Sequence, residues 1–66
     1  IYPNPTSGIV NIYSKITEEV SIYNSMGQLI RKEILQTGNN KVDISAFPNG
    51  VYLLQKENKT YKLIKK

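Results

Sequence analysis

The side chains of this 66-residue chain that could move a proton or hold a metal are few: five carboxylates (Glu18, Glu19, Glu33, Asp43, Glu57), nine cations and scattered serines, with no histidine and no cysteine. Histidine is the usual general base near neutral pH and the commonest metal ligand, and cysteine supplies thiolate nucleophiles and ligands. Adjacent Glu18 and Glu19 would point to opposite faces of a strand, and no other two carboxylates are spaced to argue an acid and base pair. A serine nucleophile has no imidazole to activate it, and Ser14-Lys15 is a bare neighbour pair. No glycine-rich phosphate loop or cluster of metal ligands appears. The expectation is a non-enzyme without metal or cofactor.

Binding chemistry is better supplied. Five of the six aromatics are tyrosine, a stacking platform for sugars or bases if exposed, although tyrosine on a half-buried sheet more often packs. Net charge is +4, and Lys56, Lys59, Lys62, Lys65 and Lys66 crowd the last eleven positions against Glu57. Lysines so placed keep an edge strand solvated and unpaired. A nucleic-acid surface is the weaker reading, because such surfaces add arginine and this chain has only Arg31. Asn58-Lys59-Thr60 fits a glycosylation acceptor, but Asn-Lys is equally what a turn wants.

The elements that must position these groups are short. One small domain is expected; at this length folding buries about 60% of the unfolded surface, and without disulfides stability should be marginal. Frequent Val, Ile and Thr favour strands. The longest apolar run, Val51 to Leu54, falls far short of the ~20 residues that span a bilayer, and the N-terminus lacks the order of a signal peptide. The chain is therefore expected neither to span a membrane nor to target itself from that end.

Pro3 and Pro5 hold Tyr2 and Asn4 extended, so residues 1–8 read as the end of a linker or an edge strand. "IVNIY" alternates, with Val10 and Ile12 on one face. "EVSIYNSMGQLI" reads as a hairpin: Val20 and Ile22 alternate with Ser21 and Tyr23, Asn24 can bond the backbone two residues on, and Gly27 can take positive φ. Valine at Gly27 should damage that turn. "LIRKEIL" favours a strand, "QTGNN" a turn, and "KVDIS" a strand with Val42 and Ile44 inward.

In "AFPNGVYLL", Phe47 tucks under a corner, Pro48 removes a ladder donor, Asn49-Gly50 reverses the chain, and Tyr52 and Leu54 share a face opposite Val51 and Leu53. Apolar residues on both faces predict a central strand. "ENKT" turns into "YKLIKK". About six strands at spacings near ten residues make an all-β antiparallel sandwich or small barrel.

Four blocks, "YPNPTSG", "VSIYNSMGQLI", "VDISAFPNGVYLL" and "YKLIKK", resemble in order and spacing the type A C-terminal sorting domain of the type IX secretion system, over essentially all 66 residues. The resemblance implies an immunoglobulin-like β-sandwich of six to seven short strands. It also implies a role in transport: such domains end large secreted or surface proteins of certain Gram-negative bacteria and carry the upstream cargo from the periplasm to the cell surface or medium. The implied partners are the type IX translocon, an outer-membrane shuttle protein and a sortase-like peptidase. That peptidase cuts at or before the domain's N-terminal border and can join cargo to anionic lipopolysaccharide.

Carried over by position, the family's "PNP" block is Pro3, Asn4 and Pro5, and its "GQ" turn is Gly27 and Gln28. Its "GxY" block is Gly50 and Tyr52, and its terminal basic strand is Lys62, Leu63, Ile64, Lys65 and Lys66. Recognition is expected in the last two blocks, where a lysine-bearing strand could dock by edge pairing and charge. Gly50 and Tyr52 are explained at least as well by folding. The rival readings are a non-catalytic adhesive or carbohydrate-binding sandwich using exposed tyrosines, and a nucleic-acid-binding barrel using the basic strand.

Overall fold

Alternation along the chain decides which residues meet in the computed structural model, which describes residues 2 and 5–66; the expectations for Pro3 and Asn4 lie outside the described residues. Six strands form: β1 (Ile9–Ser14), β2 (Glu18–Asn24), β3 (Leu29–Leu35), β4 (Gly38–Asp43), β5 (Gly50–Lys56) and β6 (Lys59–Lys65). Their pairing is antiparallel throughout, in a four-stranded sheet ordered β3-β2-β5-β6 and a two-stranded sheet β1-β4. Val10, Ile12 and Val42 from the small sheet join Val20, Ile22, Leu35, Tyr52, Leu54 and Leu63 from the large one in a single core, with Ile44 and Phe47 at the corner between them. The result is a small β-sandwich, and no helix among the described residues is long and apolar enough to cross a membrane.

The turns follow their side chains. Asn24 Oδ1 accepts from the amides of Met26 (2.9 Å) and Gln28 (3.0 Å), and Gly27 adopts φ 84°. A register shift between Ile22 and Tyr23 accompanies this loop, as bulged hairpins require. Gly27→Val should cost about 1–2 kcal/mol, the strain of a branched residue at positive φ, read as a lower urea midpoint at unchanged slope. Between β5 and β6 the chain reverses in two residues, Glu57 (φ 52°) and Asn58 (φ 63°). This is the primed turn that matches strand twist.

Two expectations need adjustment. Strand β4 begins at Gly38, inside the segment read as a turn, because Gly38, Asn39 and Asn40 pair with Ser14, Tyr13 and Ile12. Asn40 secures the junction: its Nδ2 donates to Gln36 O (2.9 Å), Gly38 O (3.1 Å) and Ile12 O (3.2 Å), and its Oδ1 accepts from Gln36 N (2.9 Å). Strand β5 is central, but only one face is covered. Val51 is exposed and Leu53 half-buried on the outer side.

The N-terminal segment is stitched to both sheets. Tyr2 exchanges backbone bonds with Asn11 on β1 (3.0 and 2.7 Å), while Thr6 N donates to Ile64 O (2.8 Å) and Lys66 N to Thr6 O (2.9 Å) along β6. Thr6 is buried; its hydroxyl donates to Ile9 O (2.9 Å) and accepts from Gly8 N (3.1 Å).

Candidate functional site

The "GxY" block sits in a corner that uses it fully. Phe47, 8% exposed, packs its ring 5.2 Å from that of Tyr52, 5% exposed. The Tyr52 hydroxyl donates to Pro48 O at 2.5 Å. Arg31 lies over the Phe47 ring, its guanidinium carbon 4.7 Å from the ring centroid, and donates to Asp43 O at 2.5 Å. The corner is tightened by Asp43, whose carboxylate accepts from Ser45 N at 2.8 Å. Bonds from the Ser45 hydroxyl and amide, aided by the Arg31 charge, hold its pKa below the usual aspartate value. Gly50 has φ 159°, and no atom stands within 4 Å of where its Cβ would be. Backbone conformation rather than space therefore favours glycine there. Tyr52 is held in the corner, and Gly50 opens β5 beside it.

Strand β6 divides its own candidates by phase. Leu63, opposite Tyr52, is in the core; Lys65, opposite Gly50, is buried too, with Nζ donating to Asn49 Oδ1 at 3.2 Å. Lys62, Ile64 and Lys66 take the opposite phase, with Lys62 and Lys66 exposed and Ile64 half-buried. Register sets Lys62 beside Leu53 and Ile64 beside Val51, and Leu53 beside Tyr23 on β2. The outer face of the large sheet thus carries Tyr23, Leu53, Val51 and Ile64 as an apolar strip, bordered by lysines. Gln28 is exposed at the β2–β3 loop, where its amide and side chain both bond Asn24, far in the chain from β6.

A polar cluster unremarked in the sequence lies at the other end of the sandwich. Buried Ser14 places its hydroxyl against the Glu18 carboxylate and 2.6 Å from Ile16 O, and Glu18 pairs with Lys56 Nζ at 3.3 Å. Lys56 also reaches Glu57 at 3.6 Å. The Ser14 bond foremost, with Lys56 assisting and burial opposing, lowers the Glu18 pKa. Burial alone would push Lys56 down, but the Glu18 bond and charge outweigh it and raise its pKa. Because the folded-state pKa of Glu18 lies below its unfolded value, its stabilisation is present at neutral pH and is lost as pH falls through that lowered value. A melting series from pH 7 into the acid range should show a steeper decline for the native chain than for Glu18→Gln. No spacing rule links positions 14, 18 and 56: the short connection between β1 and β2 sets Ser14 against Glu18, and the β2-β5 pairing brings Lys56 to them.

Among the described residues no group of His, Cys, Asp and Glu could hold a metal ion, and no pocket opens. The candidate site is therefore a surface.

A family model described as "Secretion system C-terminal sorting domain" matches residues 1–66. Among curated proteins, beta-agarase A of Zobellia galactanivorans is 34% identical over 67 residues, covering 97% of this chain and 12% of that protein. Beta-agarase D of the same organism is 29% identical over 66 residues, covering 98% of this chain and 13% of that protein. The chain thus spans only about an eighth of the length of these relatives. No solved structure matches it.

Proposed function

The chain belongs to the secretion system C-terminal sorting domain family, whose members are type IX sorting signals, and on that premise we propose how it acts. It travels at the end of an upstream cargo, through the periplasm to the translocon, and presents the outer face of its large sheet to the export machinery, including the outer-membrane shuttle protein. The observation that carries this is the family match over residues 1–66. Support for the docking face comes from the apolar strip of Tyr23, Leu53, Val51 and Ile64 next to Lys62 and Lys66. A dry centre with a charged rim is the usual anatomy of a protein interface.

Removal by a sortase-like peptidase, with transfer of cargo to anionic lipopolysaccharide, completes the proposal. A peptidase binds extended backbone with its amides unpaired. Tyr2 and Thr6 have theirs in bonds to Asn11 and Ile64, so in the folded domain neither of these two positions is presented to a peptidase. The cargo, by analogy with relatives named beta-agarase, is an enzyme that works outside the cell.

The test is a fluorescent reporter with a periplasmic signal peptide, fused upstream of this chain in a bacterium with a type IX system. The native fusion should reach the surface or medium. Lys62→Glu with Lys66→Glu, both at exposed positions, should melt as the native domain does yet export roughly tenfold less, equivalent to about 1.4 kcal/mol of docking free energy. Undiminished export of that variant would refute the docking face.

A second reading is favoured by Tyr2 and Tyr13, 61% and 60% exposed and flanking Asn11 on the small sheet. Such rings could stack on sugars. Retention on immobilised polysaccharide that Tyr13→Ala abolishes, with export intact, would support it.

A further inference from the structure

The same end of β6 that carries Lys66 has its outer edge occupied from within. Ile64 O and Lys66 N point away from β5, and these are groups that an incoming strand would need in order to extend the sheet. Thr6 takes both, accepting Lys66 N at 2.9 Å and donating to Ile64 O at 2.8 Å, in parallel pairing at Lys65. The edge docking expected from the sequence is thus blocked at the strand's end by the chain's own N-terminal segment.

We infer that this segment is a latch: a partner strand adds to the end of β6 only after Thr6 has left it. The inference rests on the reading of β6 as a docking element. Two observations support it. The segment's root is held separately, by the Thr6 hydroxyl on Ile9 O and by Ile44 N on Gly8 O (2.8 Å), bonds to β1 and the corner rather than to β6. Finally, anything N-terminal of this chain is joined through this segment, so tension at the cargo junction acts first on the Tyr2–Asn11 bonds and then on Thr6. The occupant that fits the opened edge is an extended strand with acidic side chains, facing exposed Lys62 and Lys66.

Thr6→Cys with Lys65→Cys tests this. Directly paired parallel neighbours lie about 4.8 Å apart, within disulfide range. In the reporter fusion the single variants and the reduced double variant set the baseline, and the oxidised double variant should be retained at least about tenfold relative to them. Export of the oxidised form at the single-variant level would overturn the latch while leaving the sorting role intact. Failure of the native fusion itself would remove the sorting role and the latch with it. Amide exchange of the isolated domain gives an independent reading. The Thr6 amide should exchange at least about tenfold faster than that of Leu63, through an opening smaller than global unfolding; equal exchange would mean that no separate latch exists.

Discussion

Leu63→Ala should leave the isolated domain mostly unfolded at moderate urea and close to its stability limit in water. A domain of this length holds about 3–10 kcal/mol in total, at roughly 0.05–0.15 kcal/mol per residue. Leu63 is 1% exposed and paired with Tyr52 across the β5-β6 ladder, and emptying such a site costs about 2–5 kcal/mol. Ile34→Ala is the matched control: at 58% exposed on edge strand β3 it should shift stability by no more than about 0.5 kcal/mol. Urea midpoints at constant slope would read both. The comparison bears on export. Deleting Tyr61 to Lys66 removes Leu63, buried Lys65 and the bonding partners of Thr6 together, so lost export after that deletion reports folding as much as recognition. Exchanging Lys62 and Lys66 leaves the core intact and separates the two.

The strands themselves were legible because a half-buried sheet writes period two into the sequence. Val20 and Ile22, Val10 and Ile12, and Tyr52 and Leu54 are all buried as their alternation indicates. The β2–β3 loop was legible down to the Asn24 side chain and the positive φ of Gly27, since turn residues are chosen for local conformations. The start of β4 was hidden by composition: Gly38, Asn39 and Asn40 look like a loop, and their strand character comes from pairing with β1. The fate of Lys65 was hidden by its charge. Its phase with Tyr61 and Leu63 pointed inward, but nothing local announces that Asn49 receives its ammonium or that Thr6 covers its backbone. Thr6 and Lys65 are nearly a chain length apart, and contacts at that separation are set by topology. The same applies to Lys56 and its approach to Glu18 from the far side of β2.

Phe47→Ala should abolish export as thoroughly as Tyr52→Ala, although it alters no exposed residue of β6. Phe47 fills the corner between the sheets, with the Tyr52 ring 5.2 Å from its centroid and Arg31 at 4.7 Å. Removing a buried phenylalanine costs about 3–5 kcal/mol, and Arg31 would lose its cation-π partner, about 0.5–2 kcal/mol in itself. Tyr52→Phe is the opposite perturbation. It keeps the ring and deletes only the hydroxyl that donates to Pro48 O, a net loss of about 0.5–1.5 kcal/mol, so the domain should remain folded and the reporter should still leave the cell. If Tyr52 were read directly by the translocon through its hydroxyl, the order would reverse, with Tyr52→Phe stable but retained. Plotting exported fraction against urea midpoint for both variants and Leu63→Ala decides the matter. On the structural reading all three fall on one curve, and only Lys62→Glu with Lys66→Glu drops below it, because that pair weakens docking without weakening the fold.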